Sequence, residues 1–180
     1  MNEYKILFTG SVGSGKTKAI SSISDIAPIV TDVANSDASV LKKNTTVGLD
    51  YGFMRLDNGD SIRLFGTPGQ KRFDFVWTVL AKNAVGIIIL IDNSLPKPLD
   101  DFLLYLDSFQ HELATIPCVI GITHCDVSAT PRLDAYNDFL TEKGYVFPIL
   151  AVDTRIKSDV ARMIDLLLLQ IEANALNKNV

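Results

Sequence analysis

A chain of 180 residues with 47% hydrophobic and 21% charged side chains has the balance of an ordinary soluble globule and length for one full core. Its net charge of −4 offers no basic field to nucleic acid or to an anionic membrane surface. The two cysteines, Cys118 and Cys125, lie in or beside an apolar run, match no common zinc spacing, and read as thiols in a reducing cytoplasm.

Apolar runs alternate with amphipathic stretches, which predicts an α/β fold with a mostly parallel sheet. Strands fall near 3–9, 47–56, 61–66, 84–91, 116–122 and 145–151; helices fall near 16–24, 72–82, 99–113, 132–143 and 158–173. No repeat or linker divides the chain, so residues 1–180 are expected to form one domain. No leader is expected ahead of the first strand, and the longest apolar run, 84–91, is too short to span a bilayer. With no terminal prenylation cysteine and no glycine after Met1, no direct membrane anchor is expected.

The first strand runs into Gly10-Ser11-Val12-Gly13-Ser14-Gly15-Lys16-Thr17, followed by Lys18 and a helical stretch. Strand, G-x-x-x-x-G-K-T loop and helix make a phosphate-binding P-loop. Its backbone N–H groups form an anion nest at a helix N-terminus. Lys16 supplies a point charge to the outer phosphates, and Thr17 a hydroxyl to Mg2+. From Pro28 to about Asn44 the chain is rich in Ser, Asp, Asn and Thr without a clear period. A loop that long, with at most a helical turn at 38–42, points to a nucleotide-sensing segment. Asp57-Asn58-Gly59-Asp60 predicts a tight hairpin, hence one antiparallel pair. Ser158-Asp159 reads as an N-cap for the last helix, with Val160, Met163, Ile164, Leu167, Leu168 and Ile171 as its core face. Leu166 and Leu169 widen that stripe and are expected to be buried. His111 and His124 are the only histidines, no serine sits in a nucleophile elbow, and Asp100, Asp101 and Asp107 read as a solvated helix face.

Three later stretches join the P-loop: Thr45-Thr46 before the second strand, Gly66-Thr67-Pro68-Gly69-Gln70 after the third, and Thr123-His124-Cys125-Asp126 after the fifth. In this order the set resembles the small GTPases of the Ras and Arf type, and most of all the prokaryotic Ras-like, gliding-motility-type GTPases. The resemblance implies a P-loop small G domain: a six-stranded mostly parallel sheet with one antiparallel strand and helices on both faces. It implies GTP/GDP and Mg2+ as ligands, with Ser11, Val12, Gly13, Ser14, Gly15, Lys16, Thr17 and Lys18 around the phosphates. Thr46, or its neighbour Thr45, matches the first-switch threonine that joins Thr17 at the metal. Gly69 would sense the γ-phosphate and Gln70 orient the attacking water. Gly66 stands where the family has a metal-supporting aspartate, and neither Asp50 nor Asp92 obviously replaces it. Trp77 is reminiscent of the Arf switch helix or is a core anchor.

Thr123, His124 and Asp126 match the guanine-reading motif, with His124 in place of its lysine and Asp126 accepting from the base. Ala151 and Val152 stand near the S-A-K position, either one a backbone donor to the base carbonyl. No arginine lies in the P-loop, and neither Arg55 nor Arg72 is placed by sequence as a finger. The resemblance therefore implies a slow GTP-hydrolysing switch with an effector or activating partner, and suggests a roadblock-type dimer as the partner class. A non-hydrolysing guanine-nucleotide scaffold is the alternative, and a P-loop kinase using adenine nucleotides a third.

Overall fold

The structure, a computed structural model, describes residues 2–29, 32–34, 44–46 and 49–177, with only the backbone of 32–34, 44–46 and 177. Six strands form one sheet: β1 (Glu3–Gly10), β4 (Asp50–Arg55), β5 (Ser61–Gly66), β6 (Gly86–Asp92), β7 (Cys118–Thr123) and β8 (Ile149–Ala151). Their spatial order is β4-β5-β1-β6-β7-β8. All neighbours are parallel except β4 and β5, which are antiparallel. The hairpin joining that pair closes with Leu56 N–H donating to Asp60 O (2.8 Å) and Gly59 N–H to Leu56 O (2.9 Å). Every residue of β6 and β7 is buried, as uniformly apolar parallel strands with both faces covered should be.

Two helix layers supply the cover. On one face α1 (Lys16–Ile23) and α6 (Lys157–Asn177) pack Ile20, Ile23, Met163 and Leu167 against Ile6, Phe8, Ile88 and Leu90. The other face carries α2 (Asp74–Ala81), α3 (Pro98–Ser108), α4 (Gln110–Leu113) and α5 (Leu133–Glu142). Trp77, Phe102, Tyr105, Phe109 and Tyr136 fill that second layer against Leu7, Ile87, Ile89 and Ile91. No helix among the described residues is long and apolar enough to cross a membrane.

Several expected elements change. The helix expected over 99–113 splits at Phe109, whose φ of −111° and ψ of 15° leave the helical region while its ring stays fully buried. The strand near 145–151 shortens to Ile149–Ala151, after Pro148 and the stacked rings of Tyr145 and Phe147. The helix near 72–82 opens as a 3-10 turn over Lys71–Phe73 before α2. The aperiodic stretch after Pro28 contains β2 (Asp32–Ala34) and β3 (Asn44–Thr46), paired antiparallel. The helical turn considered at 38–42 and the strand positions 47 and 48 lie outside the described residues.

At the last helix, Ser158 and Asp159 lie inside the first turn of α6 rather than capping it. The Asp159 carboxylate instead accepts the Asp153 N–H at 3.0 Å. Leu166 is half-buried against the core, but Leu169 is 61% exposed and corrects the expectation of burial.

Candidate nucleotide-binding site

The C-terminal ends of β1, β7 and β8 open onto one cleft of about 470 Å³. Val12, Gly13, Gly15, Lys16, Thr17 and Lys18 line its phosphate end. Ser11 and Ser14 complete the loop behind it, Ser14 fully buried with its amide donating to Ser11 O at 3.2 Å. Gly15 takes a left-handed φ of 99° and starts α1, so the helix N-terminus faces the cleft. Lys16 is 5% exposed, and its Nζ donates back to Gly10 O (2.6 Å) and Ser11 O (2.7 Å).

Behind Thr17 the structure supplies a carboxylate. Asp50 is fully buried, and its Oδ2 accepts the Thr17 Oγ1 proton at 2.7 Å. Asp50 pairs with Gly66 across the β4–β5 ladder. A Cβ on Gly66 would come 2.9 Å from the Asp50 Cβ, so a side chain at 66 would force its neighbours to shift. Asp50 therefore stands beside the place where the resemblance expects an aspartate at 66. Asp92 is engaged elsewhere: its Oδ1 accepts the Ser94 amide (2.9 Å) and hydroxyl (2.6 Å) and lies 3.2 Å from His124 Nδ1.

A threonine hydroxyl and a buried carboxylate beside a phosphate-binding loop fit a hard, oxygen-loving cation such as Mg2+. No cluster of three or more His, Cys, Asp or Glu groups exists among the described residues. A metal ion here would therefore rely on phosphate oxygens and water. Thr46, the other expected ligand, is described only as backbone in β3, paired with Asp32.

The segment after β5 is pinned at both ends. Thr67 is fully buried, with its amide on Phe8 O (2.9 Å) and its hydroxyl 3.0 Å from that of Thr9. Trp77 Nε1 donates to Pro68 O at 2.8 Å, while its ring stacks 4.9 Å from Tyr105 and 6.1 Å from Phe109. Trp77 is thus a core anchor that also tethers this segment. Gly69 lines the cleft and lies against the P-loop, where a Cβ would fall 2.6 Å from Val12 N. Gln70 is buried and is not among the residues lining the cleft. Trp77→Phe keeps the stacking but deletes the bond to Pro68. It is expected to cost about 1–2 kcal/mol in thermal unfolding and to speed amide exchange at 67–70.

At the opposite end, Thr123, His124 and Asp126 line the cleft as expected. Thr123 is buried and donates to Ile91 O at 3.2 Å. His124 adopts a left-handed φ of 57°, and its carbonyl accepts the amides of Val127 and Ser128, each at 3.0 Å. Its ring is fixed between Asp92 and the Thr123 hydroxyl (3.0 Å). Asp126 is exposed toward the cleft and lies 3.3 Å from Arg155 Nη2.

The expected base-carbonyl donors need correction. Ala151 does not line the cleft, and the Val152 N–H is already bonded to Ile122 O at 2.9 Å, leaving only the Val152 side chain on the cleft wall. The loop that reaches the base end is Asp153-Thr154-Arg155. Thr154 packs on the P-loop so closely that a Cβ on Gly15 would fall 2.6 Å from its Oγ1. Arg155 grips Asp153 through Nε (2.8 Å to Oδ1) and Nη2 (2.6 Å to Oδ2), holding that carboxyl down at about 2. A polar triplet between an apolar strand and a helix was the available signal for Thr154 and Arg155.

One further carboxylate touches the loop. Asp101 is partly buried beside Ser11, not on a solvated face as its sequence suggested. Burial raises its carboxyl above the ordinary aspartate value, against the opposing pull of the nearby Ser11 hydroxyl and the Lys16 charge. With a raised folded-state value, its contribution to stability is fully present below the unfolded aspartate pKa. It is lost as pH rises through the folded value. Asp101→Asn is therefore expected to raise the melting temperature of the ligand-free protein at pH 7, with the gain fading as pH falls to about 4.

Parallel sheet, P-loop and a cleft with separate phosphate and base ends define a nucleotide-binding protein. The chain belongs to the family described as conserved hypothetical ATP binding protein, whose model matches residues 29–177. That match begins beyond the loop at 10–17, so the P-loop is separate evidence of phosphate binding. Over 138 residues the chain is 28% identical to an uncharacterized protein of Methanocaldococcus jannaschii, covering 76% of this chain and 79% of that one. Over 129 residues it is 27% identical to Ras-related protein Rab-10 of Caenorhabditis elegans and, at the same identity, to Ras-related protein Rab-8A of Bos taurus. Those matches cover 69% of this chain but only 59% and 57% of the two Ras-related proteins. With the six-stranded mixed sheet, this similarity makes the fold that of a P-loop small G domain. The likeness to these Rab proteins marks the chain as small-GTPase-like and does not single out the gliding-motility type.

Proposed function

We propose that the cleft binds a guanine nucleoside di- or triphosphate and that the protein is a switch that hydrolyses GTP slowly. The observation that carries this reading is the joining, in one cleft, of the Lys16 loop to the exposed Asp126 carboxylate. Guanine presents a ring N–H and an amino group to such an acceptor; adenine presents a lone pair there, which a carboxylate repels. The family description names ATP, so the base is the point at issue.

In this reading Lys16 leaves the Gly10 and Ser11 carbonyls for the phosphates. Thr17, Asp50 and Thr46 support Mg2+, which when bound neutralises charge on the phosphate oxygens. Gly69 lies against Val12, where a γ-phosphate would press on it, and Trp77 links that segment to the core. Gln70 must leave its buried position to orient water, which supports slow hydrolysis unless a partner draws it out. A stimulating partner is worth roughly 10³–10⁵ in rate in such systems. A roadblock-type dimer, kinship with the gliding-motility GTPases and a cytoplasmic setting belong to this proposal. The buried Gln70 also favours a second reading, a guanine-nucleotide scaffold that does not hydrolyse. Single-turnover phosphate release from GTP, with Gln70→Ala as control, separates them. Release above that control supports the switch, and equal release leaves the scaffold.

A further inference from the structure

We infer that Arg155 reads the base together with Asp126, its guanidinium donating to the guanine carbonyl while the Asp126 carboxylate accepts from the ring N–H and amino group. The inference rests on the guanine reading above and names the residue that sharpens it. Arg155 Nη2 and Asp126 Oδ2 stand 3.3 Å apart on the wall of the same cleft, a donor beside an acceptor. The guanine edge carries the complementary pair, a carbonyl next to an N–H. Adenine inverts both positions, so an arginine–aspartate pair rejects it twice.

The arginine is aimed before any base arrives. Asp153 holds it through Nε at 2.8 Å and Nη2 at 2.6 Å, and the Arg155 amide donates to the same carboxylate at 2.9 Å. The Asp153 amide is in turn bonded to Asp159 in the first turn of α6 (3.0 Å). A guanidinium fixed in this way loses little freedom when it takes a further acceptor. The Val152 amide, one of the two donors expected for the base carbonyl, is occupied by Ile122 O. A side-chain donor at the cleft wall meets that need.

The test is calorimetric titration of the full chain and of Arg155→Ala with GDP, ADP, IDP and 6-thio-GDP. IDP lacks the amino group that faces Asp126; 6-thio-GDP keeps the ring N–H but weakens the carbonyl acceptor. The wild type is expected to bind GDP several-fold tighter than either analogue. Arg155→Ala should weaken GDP by about tenfold to a hundredfold, the worth of a charged hydrogen bond. It should erase the gap between GDP and 6-thio-GDP while keeping that between GDP and IDP, and Arg155→Lys should restore part of the loss. Collapse of both gaps, or a uniform loss across all four ligands, would overturn the inference and leave Arg155 as a support for the loop. Tighter GDP binding by the alanine variant would overturn it too, as would a wild type indifferent to sulfur at this position. If Arg155→Ala fails to fold, Arg155→Gln is held to the same two gaps. A wild type that binds GDP and ADP alike removes the guanine reading itself, an outcome distinct from the failure of Arg155 alone.

Discussion

Lys16→Ala is expected to weaken nucleotide binding by about a thousandfold, which in practice abolishes it. Two charge-assisted hydrogen bonds to phosphate oxygens, each worth about 1.5–3 kcal/mol, account for a loss of that size. The substitution also acts on the empty protein. Lys16 Nζ donates to Gly10 O and Ser11 O at 2.6 and 2.7 Å, and the lysine is almost fully buried. Without it these carbonyls face the cleft unbraced, so the ligand-free variant should melt a few degrees lower. Lys18→Ala, at the rim of the same cleft, should change affinity only a few-fold. A fluorescence titration with labelled GDP reads all of this, and retained binding by Lys16→Ala would mean that the loop does not hold phosphate.

The second large effect concerns the carboxylate behind Thr17. Asp50 and Gly66 face each other across the β4–β5 ladder, and a Cβ at 66 would sit 2.9 Å from that of Asp50 and 3.1 Å from the Ile20 Cδ1 atom. Gly66→Asp alone therefore overpacks a buried site and sets two carboxylates side by side, at a cost of about 2–4 kcal/mol. Asp50→Gly alone removes the acceptor of the Thr17 hydroxyl and should reduce the dependence of GDP binding on Mg2+ by about tenfold or more. The double variant, Asp50→Gly with Gly66→Asp, moves the carboxylate one strand over without adding a second. It is expected to recover most of the stability lost in Gly66→Asp and part of the Mg2+ dependence lost in Asp50→Gly, a coupling of at least about 2 kcal/mol. Magnesium titrations of GDP dissociation and thermal melts give both numbers. Purely additive effects would show that Asp50 and Gly66 do not share one role.

Much of this was legible in the residues. The uniformly apolar runs of β6 and β7 predicted buried parallel strands, and Gly59 in its polar turn predicted the antiparallel pair. The P-loop was readable because its chemistry is local and its spacing distinctive, and Asp126 does line the same cleft. The position of Asp50 behind Thr17 was harder to read because it depends on register across a hairpin, not on neighbours in sequence. The pairing of Arg55 with Ser61 carries through to Asp50 with Gly66, so a committed register would have exposed it.

The base loop was misplaced because β8 is only three residues long and ends level with Ile122 of β7. That stop carries the cleft-facing positions on to 153–155. β2 and β3 escaped notice because three residues are too few to show a two-residue period. The break at Phe109 was hidden because the residue that leaves the helix is itself core and no glycine or proline marks it.

The central claim, that this cleft selects a guanine nucleotide through Asp126, is tested most directly by displacing labelled GDP with unlabelled GDP or ATP, on the wild type and on Asp126→Ala. The account predicts that GDP displaces the label at near-equal concentration and that ATP fails to do so at about hundredfold excess. It also predicts that Asp126→Ala brings the two much closer together. Displacement by ATP as effective as by GDP, unchanged by Asp126→Ala, would contradict it.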